Sequence, residues 1–308
     1  MKIVIVGTGG VGGYYGGLLA KQGHEVTFLA RGEHLKAILQ NGLRVQSVHG
    51  DFVIQPARAT DDAAQAGPAD LVLFCTKTYA TEQAARQVRP LIRDDTTVMS
   101  LQNGIDAAER IGNIVGREHM IGGATWISSA IEAPGIIRQV SQFRRVVLGE
   151  LDGRITLRVQ AIHRAFQETG VTAEISENIL KVLWTKFVFI SAASSLGSLT
   201  RLAIGEYRAV PETRELMIRL MKEVEALARA QKIDLDEDVI QKSLDFIDAA
   251  APTIKTSMQL DVAAGRRSEI EAMIGVIGRK GRELGIPTPV ADFVYASLLP
   301  IELNAQNG

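Results

Sequence analysis

The 308-residue sequence predicts an α/β protein: an N-terminal Rossmann-type doubly wound sheet over residues 1–176 and a C-terminal all-helical domain over 177–308. Three observations lead there. A strand, a glycine-rich turn, a helix and a second strand open the chain; short apolar runs then alternate with helical patterns; after residue 176 the apolar period is helical almost throughout. At roughly 150 residues per domain, the length suits two.

Lys2–Val6 (KIVIV) is a β-branched run ending at glycine, 10–22 has helix-compatible spacing, and 24–30 (HEVTFLA) reads as a strand, the order of a βαβ unit. Further strands are expected at 70–75, Thr97–Ser100 and 120–124, with helices at 81–91 and 107–114. That alternation implies a mostly parallel sheet covered by helices on both faces. Residues 136–150 read as an antiparallel hairpin, 154–169 as a helix and 170–175 as a last strand. Ser176 is the expected N-cap of a helix over 177–195. Helices follow at 212–231, 236–250, 268–284 and 290–303, punctuated by Pro211, Pro252, Pro287 and Pro289.

Composition narrows the functional classes. Hydrophobic residues make up 46% of the chain and charged ones 22%, which supports a large core and excludes wholesale disorder. The net charge is -1, and neither half is strongly basic: 18 basic and 17 acidic residues lie before residue 177, 16 and 18 after. A small-molecule partner is therefore expected, with no nucleic acid and no membrane surface. The single cysteine, Cys75, lies in an apolar strand run and excludes an intramolecular disulfide or a multi-cysteine metal cluster, so no metal site is expected. Residues 3–20 carry no charge, but seven of them are glycine, which argues against a signal or spanning helix. The uncharged run 187–200 falls short of a bilayer span. The expectation is a cytoplasmic protein, with apolar helical faces sufficient for a homodimer, the commonest oligomer.

Gly7-Thr8-Gly9-Gly10-Val11-Gly12 matches GxGxxG directly after a strand and at the opening of a helix, the context a dinucleotide site requires. The first glycine permits the turn, the second lets backbone approach a pyrophosphate, and the third allows close helix–strand packing. The helix N-terminus offers N–H groups to the phosphates. At the end of the second strand, a carboxylate would grip the ribose 2′-hydroxyl of NAD; this chain has Arg31 there instead. A guanidinium suits a 2′-phosphate, so NADP(H) is the expected cofactor. Lys77 and Asn103 follow later strands at their carboxyl ends, where doubly wound sheets bind ligands.

Between residues 182 and 200 the only ionisable side chain is Lys186. Carried on an apolar helix, its ammonium would be desolvated and its pKa lowered toward values useful for proton transfer. Glu269 opens a later helix, where Ser268 is an expected cap, and is a candidate partner for Lys186.

Together, GTGGVG with Arg31, CTKTY with Lys77, LQNG with Asn103, LWTKF with Lys186, SMQLD from Ser257, GRRSEIE from Gly265 and RELGIPTPV from Arg282 resemble the ketopantoate reductase family over essentially the whole chain. The resemblance implies NADPH-dependent reduction of 2-dehydropantoate to (R)-pantoate, a step of pantothenate and coenzyme A biosynthesis. It implies Lys186 as general acid, Asn103 holding Lys186 and the nicotinamide ribose, and Lys77 contacting the cofactor. Glu269 and Ser257 would then bind substrate and ribose. Well-studied members carry asparagines one and two turns after the lysine; here those positions are Ile190 and Ser194, leaving Ser194 as the remaining polar substrate contact. A less polar 2-oxo acid or an imine is therefore an alternative substrate. From another class, a non-catalytic NADP(H)-binding sensor would lack a proton donor, and the presence of Lys186 and Glu269 counts against it.

Overall fold

KIVIV forms β1 (Lys2–Val6) inside an eight-stranded sheet, in a computed structural model that describes residues 1–307. After it come α1 (Gly10–Lys21), β2 (Glu25–Leu29), α2 (Gly32–Asn41), β3 (Leu43–Ser47), β4 (Phe52–Ile54), β5 (Arg58–Thr60), α3 (Ala63–Ala66) and β6 (Leu71–Phe74). The chain continues through α4 (Thr81–Gln87), β7 (Thr97–Ser100), α5 (Ala107–Val115), β8 (Met120–Trp126), β9 (Ser129–Ala133), β10 (Ile136–Gln139), β11 (Arg145–Glu150), α6 (Leu157–Glu168) and β12 (Thr172–Ile175). The large sheet runs β12-β11-β8-β7-β6-β1-β2-β5. Every pairing in it is parallel except β8 with β11. Strand order reverses beside β1, so the turn after β1 opens at the switch point of the sheet.

The period-2 geometry of β1 explains why all of its apolar residues are buried. Ile3 and Ile5 pack with Tyr14, Leu19 and Phe166 on one face, while Val4 and Val6 pack with Ala84, Ala85 and Ile111 on the other. Helices thus cover both faces.

The expected hairpin over 136–150 does not form. β10 joins a separate four-stranded sheet, β4-β3-β10-β9, while β11 pairs with β8 and β12 in the large one. The reason is α1, which lies between apolar side chains of both sheets. A Cβ on Gly16 would stand 2.6 Å from Ile5, and one on Gly13 2.6 Å from Ile137 of β10. The glycines that make 3–20 a poor membrane helix are what let the second sheet approach this one.

Two compact units result: one holds Met1–Gln102 and Asp106–Ile179, the other Asn103–Ile105 and the chain from Leu180 onward. The second is built from α7 (Ile179–Thr200), α8 (Ile204–Arg208), α9 (Pro211–Ala230), α10 (Val239–Ala249), α11 (Ser257–Ala263), α12 (Val276–Leu284) and α13 (Pro289–Asn307). Pro211 and Pro289 are the first residues of their helices, where the missing N–H costs nothing. Ser176 is not an N-cap: α7 begins at Ile179, and the Ser176 hydroxyl instead accepts the Asn178 N–H at 3.1 Å in the preceding turn. At 22 residues α7 is long and apolar enough to cross a membrane, more than the uncharged run suggested. Its apolarity is accounted for by packing: Trp184, Phe187, Val188, Ala192 and Leu196 sit in one core with Met217, Leu220 and Val224 of α9 and Val294 and Leu298 of α13.

Candidate active site

The glycine turn separates into positions the fold needs and one it does not. Gly7 has φ +94°, and Gly12 packs so closely that a Cβ would lie 2.2 Å from the Gly7 carbonyl oxygen. Gly9, by contrast, has φ -81° and nothing within 4 Å of a Cβ position. Neither backbone conformation nor packing requires glycine there, and the open space is what the close approach of a pyrophosphate would need. Gly9 is the N-cap of α1 and supplies no side-chain cap, the first turn holds no acid, and Gly10 and Val11 follow. The partial positive charge of the helix end is thus uncompensated by side chains. Thr8 anchors the turn: its N–H and hydroxyl both donate to the Leu29 carbonyl, at 3.1 and 3.0 Å. Arg31, just past β2, is exposed and donates to the neutral Gln87 Oε1 at 2.7 Å, a bond readily exchanged for one to a phosphate. These residues fit a dinucleotide.

A buried amide stitches the next two strand ends together. Gln102 Nε2 donates to the Thr76 carbonyl, Thr76 Oγ1 and Thr81 Oγ1 at 3.0, 3.1 and 2.9 Å. This fixes the loop that carries Lys77, which is half-buried. Sequence reasoning assigned Gln102 no role, although the pairing of Phe74 with Ser100 sets Thr76 and Gln102 level, two residues past each strand.

In the helical unit three of the expected residues come together. Lys186 is 8% exposed, and its Nζ donates to Asn103 Oδ1 at 3.0 Å. Burial pushes the ammonium down to about 8, while the nearby charge of Glu269 pulls the other way. Glu269 is buried, and its carbonyl accepts the N–H groups of Ala272 and Met273 as a π-helical turn, Glu271–Gly275, begins. Such turns re-aim side chains and are frequent at functional sites. Ser268 does not cap this helix. Its N–H and hydroxyl both donate to Glu302, because that buried carboxylate from α13 outcompetes a local turn. Ile190 is half-buried one turn after Lys186, and Ser194 is buried a turn further. Ser257 is exposed at the first residue of α11, where Thr256 makes the cap. Among the described residues, no group of three or more His, Cys, Asp or Glu side chains is arranged to hold a metal.

A doubly wound sheet with this turn, followed by a helical unit carrying a buried lysine bonded to an asparagine, is the architecture of a two-domain dinucleotide-dependent oxidoreductase. The family profile of ketopantoate reductase PanE/ApbA matches residues 3–153, and the profile of its C-terminal part matches 178–302. The 2-dehydropantoate 2-reductase of Nostoc sp. is 32% identical over 302 residues, 96% of this chain and 94% of that one. The PanE/ApbA family ketopantoate reductase structure from Ralstonia eutropha JMP134 superposes with a TM-score of 0.91 at 32% identity, covering 99% of this chain and 100% of that one. A D-mandelate dehydrogenase bound to NADH and anilino(oxo)acetate gives 0.92 at 25% identity, covering 99% and 100%. The chain belongs to the ketopantoate reductase family.

Proposed function

We propose that this protein is an NADPH-dependent 2-oxo acid reductase whose preferred substrate is 2-dehydropantoate, reduced to (R)-pantoate. When bound, the nicotinamide supplies the hydride. The backbone at Gly9 and the N-terminus of α1 hold the pyrophosphate, Arg31 takes the 2′-phosphate, and Lys77 adds charge at the cofactor. Lys186 gives its Nζ proton to the carbonyl oxygen as that oxygen becomes an alkoxide. A group titrating near 8 is largely protonated at neutral pH yet parts with its proton more readily than an ordinary lysine. Asn103 orients the ammonium, Glu269 keeps it charged, and Ser194 and Ser257 contact the substrate. The observation that carries this reading is the hydrogen bond from buried Lys186 to Asn103, with the charge of Glu269 acting on the same ammonium.

A second reading has its own support. Ile190, one turn from Lys186, cannot hydrogen-bond a hydroxyl, and the mandelate dehydrogenase with a similar fold holds an oxoacetate bearing an aromatic ring. A 2-oxo acid with an apolar side chain would suit that surface. NADPH oxidation measured across a panel of 2-oxo acids, 2-dehydropantoate among them, decides between the two. Highest kcat/KM on 2-dehydropantoate supports the first, highest kcat/KM on branched or aryl 2-oxo acids supports the second, and no oxidation with any of them refutes both.

A further inference from the structure

Glu302 lies on α13, 33 residues beyond Glu269 in sequence, and its position gave no hint of a role. Flanked by Ile301 and Leu303, it is 4% exposed and forms no ion pair among the described residues. Its bonds go elsewhere. Oε2 accepts the Ser268 N–H at 2.9 Å and the Ser268 hydroxyl at 2.7 Å, and Oε1 accepts Gln306 Nε2 at 3.1 Å. Ser268 is itself 3% exposed and precedes Glu269, where the π-helical turn begins. Burying a carboxylate costs several kcal/mol unless such bonds compensate it, so a charge that directs two of its three bonds to the N–H and hydroxyl of one serine calls for a reason.

We infer that Glu302 is a positioning residue: by accepting two hydrogen bonds from Ser268 it fixes the backbone from which Glu269 acts on Lys186. This rests on the reading of Lys186 as the proton donor. The Glu302 side chain bonds to Ser268 and Gln306, not to Lys186 or Asn103, and the charge of Glu269 supports the Lys186 ammonium. The inferred route from Glu302 to Lys186 runs through Ser268 and the adjacent Glu269. Glutamine at 302 keeps the shape, but its amide turns one acceptor into a donor and removes the charge that strengthens both bonds to Ser268.

The test needs no substrate. Lys186 is titrated by NMR in full-length protein carrying isotope-labelled lysine, its signal assigned by its loss in Lys186→Met. Glu302→Gln is expected to shift the titration downward by about half a unit or more, a loosened Glu269 supporting the ammonium less well. Ser268→Ala, which removes only the hydroxyl bond, is expected to give a smaller shift of the same sign, and it serves alone if Glu302→Gln does not fold. In a Glu269→Gln background, Glu302→Gln should add nothing. An equal shift with and without Glu269, or no shift in either folded variant, overturns the inference. A normal shift with no turnover on any 2-oxo acid would leave Glu302 in place and refute the proposed reaction instead.

Discussion

The turn between β1 and α1 and the cluster around Lys186 use different materials. The turn presents backbone: a glycine with open space above it, a helix end without a side-chain cap, and a threonine spent on holding the loop to Leu29. The cluster presents side chains whose properties depend on what is packed around them. Lys186 is an unremarkable lysine until burial lowers its pKa and Asn103, 83 residues away in sequence, takes its hydrogen bond. A backbone site is written in a few consecutive residues, because turn geometry is local. A side-chain site requires the whole helical unit to be folded.

The largest expected effect separates the two regions completely. Lys186→Ala should lower kcat by about 10²–10⁴-fold, the range for a lost general acid, while the NADPH dissociation constant from fluorescence titration stays within about twofold. In the unmodified protein kcat should fall as pH rises through about 8, since the donor must carry its proton. A flat profile from pH 6 to 10 would break the assignment.

Next in size is Arg31→Asp, which replaces a phosphate partner by a repelling charge. NADPH affinity should drop by about a hundredfold, roughly 2.7 kcal/mol, with NADH affinity little changed. Equal losses for both cofactors would count against the 2′-phosphate assignment. The smallest effects sharpen the distinction within the turn itself. Gly9→Ala places its Cβ in open space, so the melting temperature should hold while cofactor affinity falls about tenfold. Gly12→Ala drives its Cβ onto the Gly7 carbonyl and should destabilise the fold by about 1–3 kcal/mol, read by thermal or urea unfolding. If the two variants behave alike, the glycines have not been sorted correctly into fold and ligand roles.

How far the sequence could be read follows the same division. β1 and β7 were legible to the residue, β1 because the buried part of a parallel strand is a continuous apolar run, here residues 3–6 closed by a glycine. β3, β4 and β9 were not, since LRVQS and SAIEA mix polar with apolar residues and FVI is only three residues long. Their pairing is settled at long range: Ile137 of β10 lies opposite Val45, not opposite a hairpin partner in β11. Lys186 was conspicuous as the sole charge in an apolar helix. Gln102 and Glu302 were not, because each acts by bonding to groups distant in the chain.

What the sequence determined alone is the opening strand–helix–strand unit, the helical period after residue 176, the glycine turn with Arg31, and the isolation of Lys186, all properties of local patterning. Tertiary structure decided the rest: the second sheet laid against the glycines of α1, the depth of burial that sets the lysine near 8, and the carboxylate of Glu302 seated on Ser268. Those depend on desolvation and on hydrogen bonds between residues far apart in sequence. Neither is a property of any short stretch of chain.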